Sequence, residues 1–339
     1  MHNVKRVRYS AEALAAQRQR EKARLKEFQS LTGEVLARKQ RKDHSREAFD
    51  LTTRLLQINP EFYTIWNYRR LVLLNGIFVE STPTQINDVL SDDLSLTTTL
   101  LKQHPKVYCI WTHRQWCLAQ VPDGPTASDR NGWRQAYWNK ELFVAEKMLE
   151  ADPRNFHAWT YRRYVLAQMP VKRPETADLA FTKRKIESNI SNFSAWHQRS
   201  KTLTSLWDAG KLDKARSLEE EFDLVRNAMY TDPNDQSVWI YHRWLVGPGE
   251  FVIGDDKGLL EREVSSIQEL LDIQPDSKWC MESIVFYKKL LLRRHGDSLG
   301  DDERGKLNSE CEELLGSLQS VDPDRHQRYV DLSRNHHIV

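Results

Sequence analysis

Apolar and polar positions follow a helical spacing over most of the chain, and short turn segments interrupt this pattern at intervals. Apolar residues three and four positions apart predict amphipathic helices. Several of these helices end at a proline, and a second apolar stretch begins shortly after it. The prolines concerned are Pro60, Pro105, Pro153, Pro233, Pro275 and Pro323. The pattern therefore predicts pairs of helices joined by tight turns.

A tryptophan motif recurs once in each predicted helix pair. The tetrapeptide Trp-x-x-Arg occurs four times and two degenerate copies follow, at Trp66, Trp111, Trp159, Trp196, Trp239 and Trp279. Steps of 45, 48, 37, 43 and 40 residues separate these tryptophans, which leaves room for two helices in each copy. We therefore predict an all-α protein, a right-handed superhelical α-α solenoid of helical hairpin repeats with a crescent shape.

The repeats are predicted to form one continuous domain over residues 1–339. Residues 1–42 are predicted to form an N-terminal segment and a long, charged capping helix. Its apolar positions are spaced for one buried stripe: Leu14, Leu25, Phe28 and Leu31. The helices between tryptophan motifs are predicted at residues 43–58, 133–151, 175–190, 212–231, 257–273 and 302–320. Residues 302–339 are predicted to be a C-terminal cap, since terminal repeats are atypical.

The residues that the copies share are predicted to build the core. An aromatic residue precedes the tryptophan by three positions in four copies: Tyr63, Tyr108, Phe156 and Phe193. Positions three apart share a helix face, so this residue and the tryptophan are expected to pack as a core pair. The arginine is expected to stack on the ring or to bond helix-end carbonyl groups. Because a residue needed in every copy usually serves the stacking, functional residues are expected where the copies differ.

Composition excludes several classes of function. Lys and Arg total 50 against 48 Asp and Glu, a formal net charge of +2. A nearly neutral chain without a basic stripe predicts neither nucleic-acid binding nor attraction to an anionic membrane. The four cysteines form no Cys-x-x-Cys pair and no zinc array with histidines, which predicts reduced thiols and no metal site in this chain. No stretch has the character of a signal peptide or membrane span, so we expect a cytoplasmic protein.

Longer segments resemble a known family. SNFSAWHQRS from Ser191, TDPNDQSVWIYHRWLVG from Thr231 and the Met1-His2 start with its basic residues resemble the protein prenyltransferase α subunits. Repeats of that family place an aromatic residue, Trp and then x-x-Arg in the same order. The resemblance covers nearly the whole chain and is greatest to the Rab-prenylating branch, in a compact form without immunoglobulin-like or leucine-rich-repeat domains.

The resemblance implies an obligate heterodimer with a β subunit that carries zinc and the isoprenoid pocket. The implied reaction transfers geranylgeranyl from geranylgeranyl diphosphate to C-terminal cysteine thiols of Rab GTPases, which an escort protein presents. Two alternatives stay open. One is the α subunit shared by farnesyltransferase and type I geranylgeranyltransferase, and the other is a non-catalytic, tetratricopeptide-like scaffold. Tetratricopeptide repeats run near 34 residues, and the longer steps here argue against them.

The residues just ahead of the tryptophans are the candidates for a share in catalysis. The family's α-subunit lysine beside the diphosphate matches Lys106, which follows Pro105 at a predicted helix start that favours an anion. The other copies have different residues at this position: Glu61, Arg154, Ser191 and Asn234. Tyr108 and His157 match residues that line the diphosphate edge in farnesyltransferases, and Arg154 is expected to add charge. A solvated role for either cation, core packing for Tyr108, and a helix-capping or interface role for His157 are the alternatives.

His2 is a separate candidate at the N-terminus. Its imidazole on a flexible segment is expected to reach the zinc of the partner subunit. This expectation rests on the resemblance of the Met1-His2 start alone. A disordered N-terminus without function is the alternative.

Overall fold

The computed structural model describes residues 10–124, 132–247 and 256–334, and all regular structure within these residues is helical. Contacts divide the chain into two compact units, Met1–Lys172 and Arg173–Val339. The prediction of an all-α chain of helical hairpins is confirmed, whereas the single continuous domain stays a prediction. None of the described helices has both the length and the apolar character that crossing a membrane requires.

The first unit contains a long helix followed by three hairpins. Its helices are α1 Ala11–Gln40, α2 Arg46–Ile58, α3 Tyr63–Val72, α4 Pro83–Gln103, α5 Tyr108–Gln120, α6 Gly132–Ala151 and α7 Phe156–Gln168. A π-helical turn, Leu73–Ile77, continues α3. Hairpin 1 pairs α2 with α3, hairpin 2 pairs α4 with α5, and hairpin 3 pairs α6 with α7.

The second unit contains four further hairpins in its described residues. Its helices are α8 Thr176–Ser188, α9 Phe193–Asp208, α10 Lys214–Thr231, α11 Gln236–Val246, α12 Lys257–Ile273, α13 Lys278–His295, α14 Asp301–Val321 and α15 His326–Arg334. They pair in chain order as hairpins 4 to 7. Single 3-10 turns, Gly296–Ser298 and Pro323–Arg325, precede α14 and α15.

The apolar stripe predicted along α1 is buried only near the C-terminal end of the helix. Leu31 is 6% exposed, whereas Leu14 and Leu25 are 41% and 55% exposed. The reason is one of length, because α1 has 30 residues and the helix that packs against it, α2, has 13. The prediction of one continuous buried stripe is therefore wrong for the first half of α1.

Helix α4 was absent from the predicted set of helices between tryptophan motifs. Its sequence is rich in Ser, Thr and Asp, which weaken a helical prediction. The start was nevertheless marked, because Thr82 and Gln85 form a reciprocal capping box and Pro83 occupies the first helical position. The capping residues were thus the better guide to this element than its composition.

Candidate functional site

A tryptophan ring fixes the loop in front of the second helix of hairpins 1 to 5. Its indole N–H donates to the backbone carbonyl six positions earlier, over 2.7 to 3.0 Å. The rings involved are at most 5% exposed: Trp66, Trp111, Trp159, Trp196 and Trp239. Because a buried carbonyl needs a donor, this bond holds the five loops in a similar way. Residues at the same position of these loops therefore have similar backbone surroundings, and the copies differ mainly in their side chains.

The arginine of the motif joins its own hairpin to the next one. Arg114 donates to both carboxylate oxygens of Glu141 on α6, over 2.9 and 2.5 Å. It also donates to the Leu94 carbonyl and the Thr97 hydroxyl of α4, each over 2.8 Å. Similar pairs occur in other hairpins, Arg69 with Asp93 and Arg199 with Glu221. The repeated arginine is therefore a structural link within each unit.

The buried carboxylates that receive these arginines were not identified from the sequence. An acidic residue stands 18 positions before four of the tryptophans: Asp93, Glu141, Asp178 and Glu221. Each is buried. Acidic residues are rarely buried unless they are paired, so composition alone did not indicate these four. Their constant spacing from the tryptophans is the sequence feature that would have identified them.

A third polar side chain, two positions after the tryptophan, completes the buried clusters. The Tyr161 hydroxyl donates to Glu141 over 2.5 Å, and Nε2 of His113 lies 2.8 Å from Asp93. Burial alone would raise the pKa of Asp93, but the Arg69 guanidinium, together with His113, holds this pKa well below its ordinary value. The carboxylate therefore stays charged in the core.

One of these clusters has the composition of a metal site. Ligand atoms of Asp93, His113 and Cys117 all lie within 4.8 Å of one another. However, the Asp93 carboxylate already accepts from Arg69 and His113, and burial raises the pKa of the Cys117 thiol well above its ordinary value. A divalent cation here would lie beside a guanidinium and lack a thiolate. These side chains therefore fit a hydrogen-bonded core cluster better than a metal centre.

The aromatic residues three positions before the tryptophans lie on the surface. They are 56% to 67% exposed: Tyr63, Tyr108, Phe156 and Phe193. Each is the first residue of its helix, so its ring lies at the edge of the hairpin and outside the packed interior. The expected core pairs with tryptophan are therefore wrong. Large exposed aromatic side chains therefore recur at the same position of these helices in both units.

The loops before α5 and α7 bring three of the candidate residues together. The rings of Tyr108 and His157 are 4.3 Å apart between centroids and meet edge to face at 83°. The pKa of His157 is lowered, first because burial disfavours its charged form and second because the Lys106 ammonium lies nearby. Lys106 itself is exposed, and no carboxylate among the described residues forms an ion pair with it. The result is a surface site with an uncompensated cation beside an imidazole favoured in its neutral form.

The two helix starts at this site differ in their caps. Asn155 caps α7, where its side-chain oxygen accepts from two backbone N–H groups, while its amide donates to the Pro105 carbonyl over 3.4 Å. Val107 precedes α5 and offers no side-chain cap. The first N–H groups of α5 are therefore free of a side-chain acceptor and lie close in sequence to Lys106. Uncapped N–H groups with a nearby ammonium favour an anion.

The described contacts do not connect the other two candidates, Arg154 and His2, to this cluster. Arg154 is exposed on the loop before α7, and its backbone N–H donates to Asp152 over 3.2 Å. A role for its guanidinium at the anion site therefore stays a prediction. His2 lies outside the described residues, and its expected contact with a partner's zinc also stays a prediction.

Comparisons with known proteins show the family to which the helical repeats belong. The family model for the protein prenyltransferase alpha subunit repeat matches residues 45–76, 90–121, 138–169, 176–206 and 218–247. These ranges fall on hairpins 1 to 5. A solved structure, Candida albicans protein geranylgeranyltransferase-I complexed with GGPP, matches with a TM-score of 0.69 over 92% of this chain and 91% of its own. Its identity to this chain is 19%, so this likeness shows the fold alone.

Relatives in several organisms carry one description, geranylgeranyl transferase type-2 subunit alpha. The protein from Schizosaccharomyces pombe is 36% identical over 98% of this chain and 97% of its own length. The protein from Saccharomyces cerevisiae is 32% identical over 99% and 100%, respectively. The protein from Bos taurus is 38% identical over 73% of this chain but only 42% of its own length. The similarity to the two yeast proteins is therefore essentially end to end.

Proposed function

The chain belongs to the family of protein prenyltransferase α subunits, and we propose that it is the α subunit of a type 2 protein geranylgeranyltransferase. The end-to-end relatives that support this proposal are named as type-2 α subunits. The type I enzyme is a neighbour at 19% identity and supports only the fold. The substrate would be geranylgeranyl diphosphate, and the acceptors would be C-terminal cysteine thiols of Rab GTPases.

A β subunit is the proposed partner of this chain. Support comes from the exposed aromatic residues at the starts of α3, α5 and α7 in the first unit, which a partner surface would cover. The zinc expected in this enzyme class is assigned to that partner, because the cluster of Asp93, His113 and Cys117 in this chain is already paired. When bound, zinc would lower the pKa of the acceptor thiol so that a thiolate is available.

The share of this chain in the chemistry would lie at the leaving group. As the bond between C1 of the isoprenoid and the diphosphate oxygen breaks, negative charge grows on the diphosphate. An ammonium already in place stabilises this charge more in the transition state than in the ground state. Lys106 carries this proposal, because it is an exposed cation with no carboxylate partner among the described residues and lies close to the uncapped start of α5.

Two neighbours would orient the same group. His157 is favoured in its neutral form by burial and by the charge of Lys106, so its imidazole N–H can donate to a diphosphate oxygen. The edge-to-face contact with Tyr108 holds the ring, and the Tyr108 hydroxyl offers a further donor. Arg154 on the adjacent loop would add charge at the rim of the site.

The wider assembly is proposed from the Rab-prenylating branch that the sequence resembles. An escort protein would present the Rab substrate, and the enzyme would act in the cytoplasm. The absence of disulfides among the four cysteines is consistent with a reducing compartment. Purification of the chain from cell extract tests this assignment, because recovery of a CaaX-type β subunit in place of a Rab-type one would contradict it.

The function is tested with a Lys106→Met heterodimer in single-turnover transfer of geranylgeranyl to a Rab substrate with its escort protein. We expect a loss of roughly 10-fold to 100-fold, smaller than for a group that acts alone because partner residues share the charge. The matched control is Lys102→Met, which removes an exposed lysine four residues earlier at the end of α4. Equal transfer rates for the Lys106→Met variant and wild type would refute the role.

A further inference from the structure

A small pocket in the second unit has apolar walls and a cationic lining that the proposed prenyl transfer does not use. It lies between α11, α13, α14 and α15 and has a volume of about 190 Å³. Val285, Leu315 and Leu318 are buried in its wall, and Leu332 closes one side. An apolar cavity of roughly 150 Å³ can hold benzene. This pocket therefore has room for a body of about six carbons.

Lys289 lies in the wall of this pocket with only 8% of its surface exposed. Its ammonium donates to the Leu332 carbonyl, and no carboxylate of the described residues forms an ion pair with it. Burial lowers the pKa of Lys289, as expected for an ammonium that lacks a counter-charge. A buried cation of this kind is costly unless something compensates it.

The neighbouring lysine on the same helix, Lys288, has the carboxylate partner that Lys289 lacks among the described residues. Lys288 is 7% exposed, and its ammonium forms an ion pair with Glu310 over 2.7 Å. The two lysines are thus equally buried neighbours, but only one has a carboxylate. The missing partner of Lys289 is therefore a specific feature of the pocket side of α13.

The other charged groups of the pocket leave a net positive lining. Arg243 lies over the Phe286 ring, 4.3 Å from its centroid, and has no carboxylate partner in the described chain. Glu282 is engaged by Arg328 over 2.8 Å and by Arg325 over 3.4 Å. Its negative charge is therefore already compensated. Two cations, Lys289 and Arg243, remain to receive an anion.

We propose that this pocket binds a small aliphatic carboxylic acid, with its hydrocarbon body against the apolar wall and its carboxylate on Lys289 and Arg243. The apolar wall excludes a strongly hydrated anion such as free phosphate, and the two cations disfavour an amine. A monocarboxylate with about six carbons meets both conditions. All residues that line this pocket belong to the second unit, whereas Lys106 belongs to the first.

The test uses the full chain as purified, with any subunit that co-purifies, and hexanoate as the probe. Binding is measured by calorimetry and by ligand-detected nuclear magnetic resonance. Three further probes separate the contributions: 1-hexanol keeps the body without the charge, acetate keeps the charge without the body, and hexylamine reverses the charge. Since hydrogen bonds to charged groups are strong, we expect hexanoate to bind roughly 10-fold to 100-fold more tightly than 1-hexanol.

Variants place the binding at this pocket. Lys289→Met keeps the length of the side chain and removes the charge, so it should abolish the preference for hexanoate over 1-hexanol. Arg243→Met is a second variant on the rim and should reduce the same preference. The matched control is Lys288→Met, which should leave hexanoate binding unchanged. Equal binding of hexanoate and 1-hexanol by wild type, or full hexanoate binding by both pocket variants, would overturn the proposal.

Discussion

At the scale of single residues, the repeated arginine is best understood as half of a buried ion pair. Arg114 and Glu141 are each at most 1% exposed, and their contacts include two hydrogen bonds between them. Desolvation of two charges is costly, so such a pair adds less net stability than its geometry suggests. Removal of one partner lowers stability much more, because it leaves the other charge unpaired in the core.

We therefore expect Arg114→Met to lower the free energy of unfolding by about 3–5 kcal/mol. Most of this cost arises from the unpaired Glu141 carboxylate. The matched control is Arg216→Met, since Arg216 is 83% exposed and pairs with Glu220 on the surface. Its removal should change stability by less than about 1 kcal/mol. Urea unfolding of both variants gives the comparison, and equal effects would contradict a buried role for the motif arginine.

The surroundings of His113 predict how the stability of the fold depends on pH. Its Nε2 bonds Asp93 and its Nδ1 accepts from Arg70 over 3.3 Å, so the neutral ring already uses both nitrogens. The pKa of His113 is lowered, first by burial and also by the charges of Arg69 and Arg70, against the raising effect of Asp93. The unfolded chain therefore takes up a proton near pH 6.5 before the folded chain does. Stability should fall as the pH drops below that value.

His113→Gln should remove this contribution, at most about 1.4 kcal/mol per pH unit between pH 6.5 and the folded-state pKa. Glutamine is a reasonable replacement, because Gln198 occupies the matching position in hairpin 4 and donates to Asp178 over 3.0 Å. Urea unfolding at pH 7, 6 and 5 gives the slopes, with His104→Gln at a half-exposed position as control. An unchanged slope in His113→Gln would show that the proton uptake belongs to another residue.

At the scale of elements, the cap of α7 does more than start a helix. The Asn155 side chain accepts from the first turn of α7 and donates to the Pro105 carbonyl in the loop that carries Lys106. Asn192 caps α9 with a single bond from the Ala195 N–H, and its side-chain amide nitrogen has no hydrogen-bond partner among the described residues. The two asparagines therefore differ in two bonds: Asn155 accepts from a second N–H group of the first turn, and it donates the bond that holds two loops of the site together.

We expect Asn155→Ser to cost about 1 kcal/mol of stability and to slow prenyl transfer, because serine keeps the cap and loses the bond to Pro105. Asn192→Ser keeps a cap as well and breaks no second bond, so its effect should stay below about 0.5 kcal/mol. Thermal unfolding and single-turnover transfer measure the two consequences. Equal effects of the two substitutions would mean that the bridge to Pro105 contributes nothing.

The elements also show what the sequence could and could not predict. Tryptophan spacing and prolines are local features, so most helices followed from them directly. The role of Lys106 came from the resemblance to the prenyltransferase α subunits and stays a prediction. The exposure of Tyr108 did not follow from the sequence. Its spacing of three from Trp111 predicts that the two residues share a helix face, but not at which residue the helix enters the core. The buried Glu141 was missed since a single acidic residue in a helix usually indicates solvent. Both failures concern contacts between helices, which periodicity does not describe.

At the scale of the whole molecule, the chain exposes apolar side chains that a stable monomer would bury. In the second unit, Phe193 and Ile240 are 56% and 60% exposed and line a groove of about 470 Å³ that also includes Trp244. Apolar surfaces of this kind mark interfaces or cause association. We expect the isolated chain to be poorly soluble and co-expression with the β subunit to rescue it.

The double variant Phe193→Ser/Ile240→Ser tests the cause of that behaviour. Serine removes the apolar surface at two exposed positions, so the isolated chain should associate less and should recover less β subunit on co-expression. The matched control is Ile273→Ser, since Ile273 is 67% exposed at the end of α12, away from this groove. Light scattering measures association, and co-purification measures assembly. Because a general loss of hydrophobicity would affect both variants alike, only a difference between them assigns the partner surface to α9 and α11, and a well-behaved wild-type monomer would contradict the prediction outright.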